Sequence, residues 1–145
     1  MAITKYYGNF FKAALNKEID IDSDTIKVML CTSSYTPNQD THGYKNDVTA
    51  EVTGATGYTA GGATLGSAAA SYDGATNVLK ISGVNIEWAD SAITARYAVI
   101  YDDTPATDAT KPLIAYIDFE SDKSSNAAAF KINWSEDGAA KVTIA

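Results

Sequence analysis

The sequence is poor in the residues on which most site chemistry depends. Cysteine, histidine and arginine occur once each among 145 residues, as Cys31, His42 and Arg96, and proline occurs three times. A single cysteine excludes an intramolecular disulfide and any multi-cysteine zinc site, and it fits folding in a reducing compartment. A single histidine excludes a histidine-rich metal centre. Basic charge is also short. Eleven Lys and Arg stand against 18 Asp and Glu, a net charge of −7, with an isoelectric point near 4.5. That balance argues against a nucleic-acid binder, which needs a basic face, and against docking on anionic membranes. No apolar run reaches the roughly 18 residues of a membrane span. The opening Met1-Ala2-Ile3-Thr4-Lys5 leads into Tyr7, Gly8 and Asn9 rather than the apolar stretch of a signal peptide.

What is present leans toward strands and turns. The chain has 13 Asp against five Glu, with 24 Ala and 16 Thr. Asp, Thr and Gly favour turns and strands, whereas Glu, Arg and Leu favour helices. The length suits one domain, and residues 1–145 are read as one.

One helix is predicted, over about residues 4–17. Tyr7, Phe10, Phe11, Ala14 and Leu15 recur at i, i+3, i+4, i+7 and i+8, one stripe on a 3.6-residue period. Thr4 is the expected N-cap. Beyond it the period changes to two. Ile26, Val28 and Leu30 alternate with Lys27, Met29 and Cys31, after an Asp22-Ser23-Asp24 turn. Residues 33–47 read as a polar surface loop, and residues 48–52 as a short strand. Tyr58–Tyr72 reads as an extended, Ala- and Gly-rich segment, and Asp73-Gly74 marks a turn. Leu79, Ile81, Val84, Ile86 and Trp88 continue the pattern, with Gly83 as a face-swapping bulge. Residues 94–101 are apolar on both faces apart from Arg96 and should form the central strand. Further strands are expected at 113–119, 128–134 and 141–144. Seven to nine short strands at this spacing predict an all-β domain: an antiparallel β-sandwich, jelly-roll or immunoglobulin-like, with one N-terminal amphipathic helix.

The candidate chemistry is thin. No Gly-x-Ser-x-Gly elbow occurs, and His42 lies in a polar loop, where a solvated side chain is the plain reading. Cys31 reads as a structural thiol. Asp20, Asp22 and Asp24 resemble the start of a calcium loop, but an EF-hand also needs Gly at the sixth position and Glu at the twelfth. Those positions hold Thr25 and Cys31. Turn chemistry, with Asp side chains accepting backbone N–H bonds, accounts for this run and for Asp102-Asp103. The Gly57–Gly62 stretch lacks the following helix and Lys of a phosphate loop. No catalytic residue, cofactor or metal is expected, and the chain is read as a non-enzyme. Arg96, inside an apolar strand, needs a carboxylate or carbonyl partner and is the candidate for a structural ion pair. Tyrosine is enriched at protein interfaces, so the loop tyrosines Tyr35, Tyr44, Tyr58 and Tyr72, with Tyr7, Phe10 and Phe11 of the helix, are the candidate interface residues.

Three segments carry a family resemblance: IKVMLCTSSYT (26–36), EVTGATGYTAGGATL (51–65) and ITARYAVIYDDT (93–104), followed by LIAYIDF (113–119). Their order and spacing resemble those of small structural proteins of tailed bacteriophages. These open with a short amphipathic helix and run through a VxLxTSxYTP strand and loop, an EVxGTGYTAGG turn and an AxYAVIYxDT strand. Here Ala55 is an extra residue in the glycine turn. The resemblance implies a virion component, made in the host bacterial cytoplasm. The expected role is a decoration (cement) protein on the outer head surface, bound to the major capsid protein and to copies of itself as a homotrimer. The alternative it implies is a tail- or fibre-associated protein whose partners are tail proteins or a host-surface glycan. A chain at −7 suits the outside of a head better than its DNA-facing interior.

Overall fold

The computed structural model describes residues 2–144, and its regular structure is mostly antiparallel strand. In chain order these are β1 (Ile3–Tyr6), the helix α1 (Gly8–Leu15), β2 (Ile26–Cys31), β3 (Ala63–Thr64), β4 (Ala69–Asp73), β5 (Val78–Ser82), β6 (Ile86–Ser91), β7 (Thr94–Asp102), β8 (Leu113–Ser124), β9 (Ala128–Ile132) and β10 (Ala140–Thr143). Short 3₁₀ turns cover Lys45–Asp47 and Asp108–Thr110. The all-β expectation holds. Ten strands are present where the spacing predicts seven to nine; β1 and the two-residue β3 are the unforeseen pieces.

A five-stranded sheet runs β1-β8-β7-β2-β3, a three-stranded sheet runs β10-β5-β4, and β6 pairs with β9 alone. The apolar segment 94–101 is central, as expected: β7 lies between β8 and β2, with Ala98 opposite both Leu30 and Ile117. Its two faces are buried differently. Ile26, Val28, Leu30, Ala98 and Ile100 join a core that includes Ile81 of β5, Ile86 and Trp88 of β6 and Phe130 and Ile132 of β9. Met29, Cys31, Val99 and Tyr101 join a second cluster with Tyr7, Tyr35 and Tyr116.

The N-terminal reading needs correction. The helix covers Gly8–Leu15, not 4–17, and Thr4 is not its cap. Residues 3–6 instead pair with the free edge of β8, Ile3 opposite Asp118 and Tyr6 opposite Ala115, where their backbone groups find partners. The helix entry is held by Gln39, whose carbonyl accepts from Gly8 N at 2.9 Å and whose side chain donates to Tyr6 O at 2.7 Å. The exit is a Schellman motif: Glu18 N donates to Ala13 O and Lys17 N to Ala14 O, with Lys17 at φ 60°. The buried stripe is Tyr7, Phe10 and Ala13; Leu15, expected on that stripe, is 86% exposed.

Two further expectations change. Residues 48–52 form no strand. Ala50 turns to φ 56°, and only Glu51 bridges to Cys31. Gly83 is not a bulge within one strand; it lies where the chain leaves the three-stranded sheet at Ser82 before entering β6. Among the described residues no helix is long and apolar enough to cross a membrane.

Candidate functional site

The best-built polar constellation lies beside β2, where the glycine-rich turn meets the sheet. Glu51 Oε1 accepts from Gly61 N at 2.6 Å and from the Tyr58 hydroxyl at 2.8 Å. Tyr58 in turn accepts from Leu30 N at 3.0 Å. The buried Tyr101 hydroxyl donates to Gly61 O at 2.7 Å. Gly62, at φ +78°, presses on β2 so closely that a Cβ would overlap the Val28 carbonyl oxygen. Here glycine is required both by conformation and by space. Burial pushes the Tyr58 and Tyr101 hydroxyls well above the usual phenol value, so both are neutral donors. The geometry fastens a turn to a strand. The three segments that carry the sequence resemblance are the three that meet here.

A second constellation fixes residues 33–47 over the other face. The Tyr7 and Tyr35 hydroxyls are 2.8 Å apart, and Tyr35 lies 3.0 Å from His42 Nδ1, which also accepts from Asn38 N at 3.3 Å. With Nδ1 accepting, Tyr35 donates to His42 and Tyr7 donates to Tyr35. Burial raises the Tyr35 hydroxyl to about 12 and the Cys31 thiol to about 12. His42, expected in solvent, is therefore half-buried and stacked on Tyr35. Cys31 is fully buried and inert at neutral pH.

The candidate interface residues separate into two groups. Tyr7, Phe10 and Tyr35 are buried in the chain's own clusters, at 0%, 6% and 1% exposure. Tyr58 is half-buried and committed to Glu51. Tyr44 is half-buried and donates to Glu18 Oε2 at 3.0 Å. Phe11 and Tyr72 remain open, at 41% and 54%. Arg96 finds its partner within the chain: Nε and Nη2 donate to the two Asp118 oxygens at 2.6 and 3.2 Å, and the guanidinium lies over Tyr97. That pairing holds Asp118 below the usual carboxylate value.

No family model matches the chain, and no curated protein or solved structure matches it.

The Asp20-Asp22-Asp24 run performs turn chemistry. Asp20 Oδ1 accepts from Asp22 N, Asp24 Oδ2 from Asp20 N, and Asp22 Oδ1 reaches across to Ala70 N at 2.8 Å on the outer edge of β4. Among the described residues no three His, Cys, Asp or Glu groups converge on a metal position. Asp102 and Asp103 behave differently from one another. Asp103 is held by Lys111 at 2.7 Å and Lys27 at 2.8 Å. Burial pushes its carboxyl up, but the two lysines outweigh that and hold it below the usual value. Asp102 is fully buried. Its Oδ1 accepts from Thr104 N at 2.8 Å, while Oδ2 is the one buried side-chain polar atom without a hydrogen-bond partner among the described residues. Burial, with the Asp24 carboxyl in hydrogen-bonding reach, raises Asp102 to about 6. Sequence reasoning missed this pair. The available signal was an acidic residue directly continuing the most apolar strand.

A groove of about 590 Å³ opens beside β1, β8, β9 and β10. It is lined by Thr4 of β1, Ile117 and Phe119 of β8, Ile132 of β9, Trp134, and Lys141 of β10. β1, β9 and β10 each pair on one side only and each contribute to this lining, which mixes apolar side chains with Lys131, Asp137 and Lys141; strands with a free edge beside a groove suit extended polypeptide.

Proposed function

We propose that this protein is a structural component of a tailed-bacteriophage virion, a decoration protein that binds the outer head surface and stabilises it through repeated protein–protein contacts. The observation that carries the reading is the meeting of the three resemblance-bearing segments around Glu51, Tyr58, Gly61 and Tyr101. Motifs that interlock in this way specify a scaffold. That is the part of a binding protein expected to persist while its contact surface varies. In this reading the five-stranded sheet and the two smaller sheets are the layers of a β-sandwich, and the protein works as a homotrimer bound to the major capsid protein. The groove beside β1 and β10, with the exposed Phe11 and Leu15, provides contact surface. Each copy needs only a modest interface, because bridging neighbouring capsid subunits multiplies weak contacts.

The test is gold-labelled antibody against the protein, applied to phage particles from the host that carries this coding sequence and viewed by electron microscopy. Label distributed over heads is the expected result. Label confined to tails or fibres overturns head decoration and favours the tail-associated reading, to be followed by glycan-array binding. Particles without label overturn the virion reading altogether.

A further inference from the structure

The buried carboxyl of Asp102 has a use that turn chemistry does not explain. Asp102 ends β7, opposite Ile26 at the start of β2, and its backbone N–H is taken by Pro112 O at 3.0 Å. Its side chain is wholly enclosed. Oδ1 is occupied by Thr104 N, and Oδ2 has no hydrogen-bond donor. The group facing it is the carboxyl of Asp24, from the turn that leads into β2. No cation compensates the pair. Lys27 and Lys111, the lysines of this corner, are both engaged by the neighbouring Asp103, and Lys111 also reaches Asp108. Thr104 faces Asp102 from its own loop, and its Oγ1 accepts from Thr25 N at 2.8 Å. Asp20 approaches Asp24 through its backbone N–H.

Asp102 cannot stay ionised cheaply against the Asp24 carboxylate, because its own side chain is desolvated and the two charges repel. One hydrogen between them resolves both problems. It satisfies Oδ2 and removes one charge. A divalent cation fits less well, since among the described residues no three His, Cys, Asp or Glu groups converge on a metal position.

We propose that Asp102 carries a proton on Oδ2 and donates it to the Asp24 carboxylate, and that this hydrogen bond clasps the Asp20–Asp24 turn onto the end of β7. The same turn carries Asp22, whose Oδ1 covers Ala70 N on the outer edge of β4. The clasp therefore governs two places at once: the join between β2 and β7, and the shielding of a free strand edge. The upward displacement of Asp102 fixes the direction. A group whose proton affinity rises on folding adds stability while it is protonated and loses that stability as pH rises through its folded value. The clasp is closed in mild acid and loosened at neutral and alkaline pH. As it loosens, the Asp22–Ala70 bond weakens with it.

The test compares thermal melting of the wild type and Asp102→Asn from about pH 5 to about pH 8, a range above the ordinary carboxylate value. An Asn side chain donates an N–H to Asp24 at every pH in place of that proton. The wild-type melting temperature is expected to fall across the range. Asp102→Asn should melt at an unchanged temperature and exceed the wild type at the alkaline end. A wild type without that fall, or a variant that keeps it, overturns the proposal. If Asp102→Asn does not fold, Asp24→Asn serves in its place under the same two outcomes. A second reading is the protection of the Ala70 amide against hydrogen exchange, corrected for the intrinsic effect of pH. Protection that falls from acid to neutral in the wild type and stays level in the variant supports the clasp; level protection in the wild type overturns it. Calcium chloride added at neutral pH is the last arm. A rise in melting temperature in the wild type that Asp102→Asn lacks would replace the proton by a cation and overturn the proposal.

Discussion

On one face of the five-stranded sheet, Ile26, Val28, Leu30 and Ile100 pack against aliphatic and aromatic side chains from the two smaller sheets. One residue along in the same strands, Met29, Cys31 and Tyr101 face a layer of tyrosines and the loop of residues 33–47. The first face is sealed by area, the second by hydroxyl groups that must each find a partner. Area is forgiving of small displacements and costly to remove. Hydrogen-bonded hydroxyls bind less strongly but fix direction. The molecule thus has a face that supplies cohesion and a face that positions a loop.

That contrast can be broken from either side. The largest effect is expected from Ile100→Ala on the aliphatic face, a loss of about 2–5 kcal/mol, read as a fall in the urea midpoint of a single cooperative transition. Next is Glu51→Ala, which leaves Tyr58 and the Gly61 amide without their acceptor and should cost about 1–3 kcal/mol. Its mark is loss of exchange protection at Gly61 ahead of global unfolding. Tyr35→Phe, on the tyrosine face, removes one hydroxyl from the Tyr7–Tyr35–His42 chain. Its expected cost is about 1 kcal/mol, with freer exchange across residues 33–47 and little change in β7. An equal loss of protection in β7 would show that the two faces do not open separately. The smallest effect is expected from Arg96→Lys. It gives up a two-point grip on Asp118 at a partly exposed site, and the urea midpoint should shift least of the four.

Acid supplies a further contrast. The Arg96 pairing lowers Asp118, the Lys45 pairing lowers Asp108, and Lys111 and Lys27 outweigh burial at Asp103. A carboxyl lowered on folding adds stability above its unfolded value and loses it as pH falls through its folded one. The protein should therefore lose melting temperature below about pH 4, and Asp103→Asn should lose less of it than the wild type while starting lower at neutral pH.

The fold was legible where a periodic pattern coincided with burial. The alternation in 26–31 and the doubly apolar run at 94–101 gave β2 and the central β7. The N-terminus was misread because Tyr7, Phe10 and Phe11 satisfy a helical period whether or not residues 3–6 belong to the helix. What decides their state is an unpaired edge on β8, more than a hundred residues away. The interface tyrosines show the same limit. Tyr35 lies in a polar loop by sequence, and only the position of Tyr7 and His42 in space makes it interior. Arg96 was legible as an ion-pairing residue because an arginine in an apolar strand needs an acceptor. The Asp24–Asp102 contact was not, since it depends on β2 pairing with β7 in the register that sets Ile26 opposite Asp102, and the two residues are far apart in sequence.

Cys31 carries one more consequence. It is the chain's only thiol, and it lies at 0% exposure beneath the tyrosine layer, with burial, the leading cause, and the nearby Glu51 charge together raising its pKa to about 12. No alkylating reagent reaches it while that layer is shut. The rate at which the folded protein takes up a thiol label is then a stopwatch for the opening of one face, native to the sequence and needing no engineered probe.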